Sequence, residues 1–364
     1  RDRSVSRGLG DVYKRQVLFC ENKYAISILT PIQDAALKNG NQDIFWYVHA
    51  KNIPEFPLKN EVKWTNSIQE IYDYSPEAIF VPGNIVPYYL PGVKIQVFHG
   101  YAAEKKDHWV IRRYFDTYFT QGPFFTQGFK ALAAKYKDFE VTETGWPRQD
   151  WIYANLHTFD AEKQALLQEH RKEKLVLYAP TFSPSLTSLP FIKESLKQLV
   201  KEKNILLLMK FHPLTKAEWM EEYKQLAATE KDILWIDDHN ITKYQLMADL
   251  MISDTSSTVY EFLLLDKPVI TYKNVAKDIY WIDIRQPEQL CEAYESALQD
   301  EEYRQKRKWI IDNYDPYLDG KVGERMLAAA QDYIVRHGVP THRKLNLWRV
   351  YTSIKRFGKI QKHK

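Results

Sequence analysis

Residues 250–270 read LMISDTSSTVYEFLLLDKPVI, and the fold follows from how this stretch divides. Leu250-Met251-Ile252 is a short apolar run of the kind a buried strand carries. The small polar cluster Ser253-Asp254-Thr255-Ser256-Ser257 is a turn that opens a helix at about Thr258. A second strand, residues 268–272, comes after the helix. Strand, polar turn, helix and strand make a βαβ unit, which leaves backbone amides and hydroxyls at a helix N-terminus, a setting suited to phosphate. Glu261 lies one turn in, where a carboxylate could reach a ribose hydroxyl. The Ser and Thr side chains could equally serve as plain helix caps.

Outward from this unit the same alternation recurs. Strands are expected at 175–178, 205–210, 233–236, 250–253 and 269–272, with helices near 192–203, 216–227 and 242–248 between them. Upstream, strands at 17–20, 43–48, 78–81, 94–98, 118–120 and 139–142 alternate with helices at 24–38, 68–74 and 124–136. The pattern is α/β: two Rossmann-like, doubly wound parallel domains over residues 17–150 and 174–340. Connecting helices fill 151–173, and a basic tail occupies 341–364. Two such domains facing one cleft would share a site built from their strand-end loops. Residues 1–16 have neither strand nor helix period, and 11–16, DVYKRQ, resembles the translation of a sequencing-library adapter, so this leader is set apart from the fold.

The chain has 364 residues, 45% hydrophobic and 14% aromatic, enough for about two domains with substantial cores. Cys20 and Cys291 are far apart and form neither a disulfide framework nor a metal cluster by spacing, which points to a reducing compartment. No apolar run reaches the roughly 18 residues of a membrane span. Net charge is +4, but the leader contributes +3 and residues 343–364 contribute +8, with no acidic residue. Residues 17–342 are therefore at −7, and an acidic body argues against a nucleic-acid partner. The tail places Leu347, Val350, Tyr351, Ile354 and Phe357 at helical spacing among Lys and Arg. Such a basic amphipathic helix either docks on anionic lipid or packs its stripe on the protein.

His99 follows the strand at 94–98 and precedes a glycine, the place for a general base or for a histidine satisfied by a backbone carbonyl. His212, in KFHP, occupies the equivalent position after the strand at 205–210. Thr181 and Ser183 end the first strand of the second domain and could contact phosphate or cap a helix. Arg148, in GWPRQD, could reach an anion or pair with Asp150. Arg112 and Arg113, with Lys105 and Lys106, form either a steering patch or a solvated face. Asp319-Gly320-Lys321 reads as a capping pattern before the helix that carries Arg325. There is no Asp-x-Asp, HExxH, Walker A or GxGxxG motif, so no dedicated metal site or dinucleotide fingerprint is expected.

Taken together, the motifs resemble the CDP-glycerol glycerophosphotransferase family of the teichoic acid polymerase group, which has a GT-B fold. The resemblance covers residues 94–326. It rests on His99-Gly100, the TGxPRxD pattern at 144–150, YAPTF at 178–182, KFHP at 210–213, SDTSS at 253–257 and DGKxxxR at 319–325. The resemblance implies transfer of glycerol phosphate from CDP-glycerol to a hydroxyl of a lipid-linked glycan or polymer acceptor, with release of CMP. It implies His99 as the base on the acceptor and His212 assisting at the donor pyrophosphate. Thr181, Thr255, Ser256 and Ser257 would then hold the donor's phosphates and Glu261 its ribose, with Lys210 and Arg148 also in the donor-binding set. No cofactor or metal is implied, and the expected location is cytoplasmic, peripheral at the inner face of the membrane through tail 343–364. After Gly100 the chain departs from the family's frequent TPLK, reading Tyr101-Ala102-Ala103-Glu104-Lys105, in a loop that borders the acceptor. The competing function on the same frame is a UDP-sugar glycosyltransferase or 2-epimerase. A nucleotide-binding scaffold without turnover is a third.

Overall fold

Buried apolar runs too short for helices become the central strands of two parallel sheets, and the amphipathic runs between them become the covering helices. The computed structural model describes residues 14–40, 42–101, 103, 106–238, 240–299, 301–340 and 346–361. The chain forms two compact units. One takes the chain up to Gly100, Trp109–Tyr153 and everything from Tyr317 onward; the other takes Tyr101–His108 and Ala154–Pro316.

In the first unit β1 (Lys14–Cys20), α1 (Tyr24–Asn39), β2 (Gln42–Val48), β3 (Trp64–Thr65), α2 (Ile68–Tyr74), β4 (Ala78–Val81), β5 (Val93–Gln96), β6 (Thr117–Thr120), α3 (Pro123–Tyr136), β7 (Glu140–Glu143) and α4 (Arg148–Ala154) follow one another. Its sheet runs β3-β2-β1-β4-β5-β6-β7, with parallel pairings throughout. Strand order reverses between β1 and β4, so the crevice of this half opens at their carboxyl ends. Helix α1 stops at Asn39 because Gly40, at φ 68°, adopts the left-handed cap and donates its amide to Ala36.

The second unit contains α5 (Asp160–His170), β8 (Lys174–Tyr178), α6 (Leu189–Glu202), β9 (Ile205–Met209), α7 (Ala217–Thr229), β10 (Ile233–Trp235), α8 (Ile241–Met247), β11 (Leu250–Ser253), α9 (Thr258–Leu263), β12 (Val269–Tyr272), β13 (Ile282–Ile284), α10 (Leu290–Gln299) and α11 (Glu301–Tyr314). The sheet order β10-β9-β8-β11-β12-β13 is also all parallel, with its reversal between β8 and β11. Every residue of β9 is buried, as a strand covered on both faces requires.

Three expectations change. The leader expected over residues 1–16 gives up its last three, since Lys14, Arg15 and Gln16 extend β1 against Gln42, Asp43 and Ile44; ladder pairing uses backbone groups and needs no apolar side chain. Residues 1–13 lie outside the described residues. The expected second domain reaches residue 340, whereas α12 (Val322–His337) belongs to the first unit. Close packing explains this: a Cβ on Gly323 would lie 2.5 Å from the carbonyl oxygen of Pro31 in α1. Finally α13 (Leu347–Phe357) also packs on the first unit, and its apolar stripe is split between two faces. Ser353 is fully buried with its Oγ on the Tyr88 amide at 2.9 Å, and the Phe357 ring packs edge-on to Phe19 at 5.6 Å. Leu347, Trp348 and Tyr351 stay exposed.

Candidate active site

In the first unit the chain leaves β5 through Val97, whose amide bonds the Val81 carbonyl, and reaches His99 by way of a strained residue. Phe98 sits at φ 57°, a left-handed conformation costly for a bulky side chain. Its buried ring packs on Phe129 at 4.9 Å, and its carbonyl accepts the Trp146 indole N–H at 3.4 Å. Next to the histidine, Gly100 has φ 154° and its carbonyl accepts from the Gln121 amide at 2.8 Å. These contacts fix the loop on both sides of an exposed imidazole. His99 Nδ1 lies 3.2 Å from the Pro82 carbonyl oxygen. A carbonyl can only accept, so Nδ1 carries the proton and Nε2 of the neutral ring holds the lone pair. A backbone carbonyl at Nδ1 and a lone pair at Nε2 are thus compatible in one ring. The Tyr24 ring, from the start of α1, stands 5.6 Å away.

Beside this edge two of the quoted motifs fasten to each other. Both Asp150 carboxylate oxygens accept amides at the start of α12, from Val322 at 2.8 Å and Gly323 at 2.7 Å. Burial raises the Asp150 pKa and the two amide bonds oppose that rise. Arg325 donates to the Thr144 carbonyl at 2.8 Å and to Asp319 at 2.5 Å, while Asp319 also caps Lys321 at 3.0 Å. Arg148 projects over the Trp146 ring at 5.8 Å. The TGxPRxD and DGKxxxR patterns are therefore one structural clasp with Arg148 at its rim.

In the second unit Asp254 is the centre of the strand-end loops, a role the sequence reading did not give it. It is fully buried, and its carboxylate accepts the Thr181 amide at 2.8 Å, the Ser188 amide at 2.8 Å and the Ser188 hydroxyl at 2.9 Å. Burial lifts its pKa to about 6, against the three donors that lower it. The Asp254 carbonyl accepts the Asn274 side-chain amide at 2.7 Å, which ties in the loop after β12. Around this knot stand the predicted hydroxyls. Thr255 Oγ1 accepts the Val275 amide at 3.2 Å, Ser256 and Thr258 share a bond of 2.9 Å, and Ser257 makes no capping bond with its side chain. Thr181, Thr255, Ser256, Ser257 and Glu261 are all partly exposed. The structure thus gathers Thr181 with the SDTSS turn, and makes Asp254 the reason they meet.

His212 follows β9. Its Nδ1 accepts the Leu214 amide at 3.1 Å, so the proton of the neutral ring sits on Nε2, the reverse of His99. The Phe182 ring stacks on it at 4.4 Å and 29°. Desolvation lowers the His212 pKa, and Lys210 lowers it further. Lys210 is itself buried, with its ammonium on the Phe211 carbonyl at 3.3 Å, and desolvation lowers its pKa against the pull of Asp238 and Asp237. Phe182 and Asn274 were not singled out from sequence. Phe182 lay inside a quoted motif beside Thr181, so position gave a hint; Asn274 carried none.

The family model described as CDP-Glycerol:Poly(glycerophosphate) glycerophosphotransferase matches residues 36–330. The chain belongs to this family. It is 29% identical over 220 residues to the teichoic acid ribitol-phosphate polymerase TarL of Staphylococcus aureus, covering 55% of this chain and 38% of that protein. It is 37% identical over 107 residues to the teichoic acid glycerol-phosphate primase of Bacillus spizizenii, covering 28% and 26%. The chain thus spans less than half the length of these two relatives. Among solved structures, the wall teichoic acid polymerase TagF superposes with a TM-score of 0.63 at 16% identity, covering 88% of this chain and 89% of that one. An S. aureus MnaA–UDP structure gives 0.66 at 14% identity, covering 88% and 97%. At these identities the likeness is one of fold, and the fold is GT-B-like.

Proposed function

We propose that this chain transfers glycerol phosphate, or ribitol phosphate or a related polyol phosphate, from its CDP derivative to a hydroxyl of a lipid-linked glycan or teichoic-acid-like polymer, releasing CMP. The observation that supports this most is the pair of complementary histidines in a chain of this family. His99 offers a lone pair at Nε2 and His212 offers an N–H at Nε2. His99 takes the proton of the acceptor hydroxyl as its oxygen attacks the β-phosphorus. The bond from that phosphorus to the bridging oxygen breaks, and CMP leaves with the oxygen while the His212 N–H meets its growing charge. In this scheme Thr181, Lys210, Thr255, Ser256 and Ser257 contact the phosphates, Glu261 the ribose, and Arg148 an anionic part of either substrate.

The proposed workplace is the inner face of a membrane. Among the described residues no helix is long and apolar enough to cross one. Helix α13, however, presents Leu347 (73% exposed), Trp348 (72%) and Tyr351 (58%) outward, with Lys355 and Lys359 exposed on the same segment. A bilayer with anionic headgroups matches an apolar face of this kind flanked by lysines.

Relatives carry both glycerol-phosphate and ribitol-phosphate names, so the test offers both donors. The full chain is incubated with CDP-glycerol, CDP-ribitol or a UDP-sugar and a crude lipid-linked acceptor, and the acceptor is weighed by mass spectrometry. Gain of one or more polyol phosphates, matched by CMP, is the expected result. Turnover of the UDP-sugar alone would replace this function by the glycosyltransferase or epimerase one.

A further inference from the structure

The surroundings of His212 specify its charge state. Two elements of the second unit meet on its ring: the loop after β8 supplies Phe182, stacked at 4.4 Å, and the turn after β9 supplies the Leu214 amide, 3.1 Å from Nδ1. An amide N–H can only donate, so a proton added at Nδ1 would face another N–H. The imidazole would have to turn away to become a cation, and the Phe182 ring lies across that rotation. A parallel aromatic face does attract an imidazolium. Against that attraction stand the lost amide bond, the desolvation of the ring and the nearby Lys210 ammonium, all of which favour the neutral form. Asp237 and Asp238, at the end of β10, are the anions of this edge, and they act on Lys210.

We propose that Phe182 is a positioning residue which, with the Leu214 amide, locks His212 as a neutral imidazole whose Nε2–H points its donor outward. At neutral pH His212 then presents a single hydrogen bond, not a positive charge, to an anionic group of the nucleotide donor. This rests on the second unit being the donor half for what the N–H contacts, but the lock itself exists without any substrate and is tested that way.

The test is NMR of the full chain labelled with 15N and 13C in histidine, the His212 signals being assigned by their loss in His212→Gln. In the parent, Nδ1 should resonate as an unprotonated nitrogen and the ring should titrate below the ordinary histidine value of about 6.5. Phe182→Ser should mix the tautomers and raise the midpoint by about half a unit or more, and Phe182→Tyr should restore the parent's behaviour. Phe182 is 38% exposed, so both variants are expected to fold; Phe182→Leu serves if Phe182→Ser does not, with the same loss of lock expected. A protonated Nδ1 in the parent would overturn the proposal. So would an unchanged tautomer and midpoint in the variants lacking the ring. Since no donor is added, a failure here is distinct from failure of the transferase function, which CMP release reports.

Discussion

His99 and Asp254 show how single side chains take their chemistry from what surrounds them. A carbonyl at Nδ1 makes His99 an acceptor at Nε2, and the strained Phe98 holds the ring at the sheet edge. Asp254 is held by three donors yet its pKa is raised to about 6 by burial. The Ser188 hydroxyl reconciles the two: it also lies 2.9 Å from the Tyr178 hydroxyl, so it can donate there and accept a hydrogen bond from the protonated Asp254. Because the folded-state pKa lies above the ordinary 3.8, this carboxyl's contribution to stability is full below about pH 4 and is lost as pH rises through about 6. Asp254→Asn would point an NH2 at one of the two amides, that of Thr181 or that of Ser188. It should destabilise the second unit by about 1–3 kcal/mol at pH 7, and the parent's advantage should grow as pH falls from 7 to 4. Urea unfolding of both chains across that range measures this, and a difference independent of pH would refute the buried carboxyl's role. That His99 and His212 lie at strand ends was legible in the sequence because a buried strand places the residues just beyond it. Asp254 and Phe182 were not, since their partners lie on other loops and a single sequence does not say which loops meet.

The elements were more legible than their junctions. Residues 250–270 fold as β11, a polar turn, α9 and the start of β12, with the helix starting at Thr258. What was missed is short or polar: β3 has two residues and β13 reads IDI, too little to show a period. Lys94 is another case. A lysine in the middle of a sheet looks misplaced, but it is fully buried and its ammonium binds the carbonyls of Tyr88 and Leu90 at 3.0 and 2.9 Å, shaping the loop after β4. The packing of α12 on α1 allows a direct test of the revised boundary. Gly323→Ala would press a methyl against the Pro31 carbonyl at 2.5 Å and the Ala35 methyl at 3.0 Å. The expected cost is about 1–3 kcal/mol in chemical unfolding, from overpacking. A change within about 0.5 kcal/mol, the range of ordinary surface substitutions, would show that the two helices are not in close contact.

At the scale of the whole molecule, charge and connectivity carry the remaining information. The division into two α/β units was readable from the strand rhythm, whereas the return of the chain to the first unit after Pro316 was not, because it depends on tertiary contacts of α12 and α13. Of the two uses expected for the tail's stripe, packing on the protein holds for part of it, again through tertiary contacts. Arg349 donates to the Arg112 carbonyl at 3.0 Å and Arg356 pairs with the buried Glu21, so part of the basic charge faces the protein. If the outward residues meet lipid, the parent should sediment with phosphatidylglycerol vesicles and weakly with phosphatidylcholine ones. Replacing Leu347, Trp348 and Tyr351 together by serine should remove most of that binding, since each buried side chain contributes on the order of 1 kcal/mol or more. Equal sedimentation of both chains would remove the lipid role of this face. The reaction is measured most directly as CMP release from CDP-glycerol in the presence of a crude lipid-linked acceptor, by the parent and by His99→Ala and His212→Ala. Release by the parent is expected, with a loss of roughly 10²–10⁴-fold in His99→Ala and a clear loss in His212→Ala as well. Full release by both variants, or none by a folded parent supplied with either polyol donor, would contradict it.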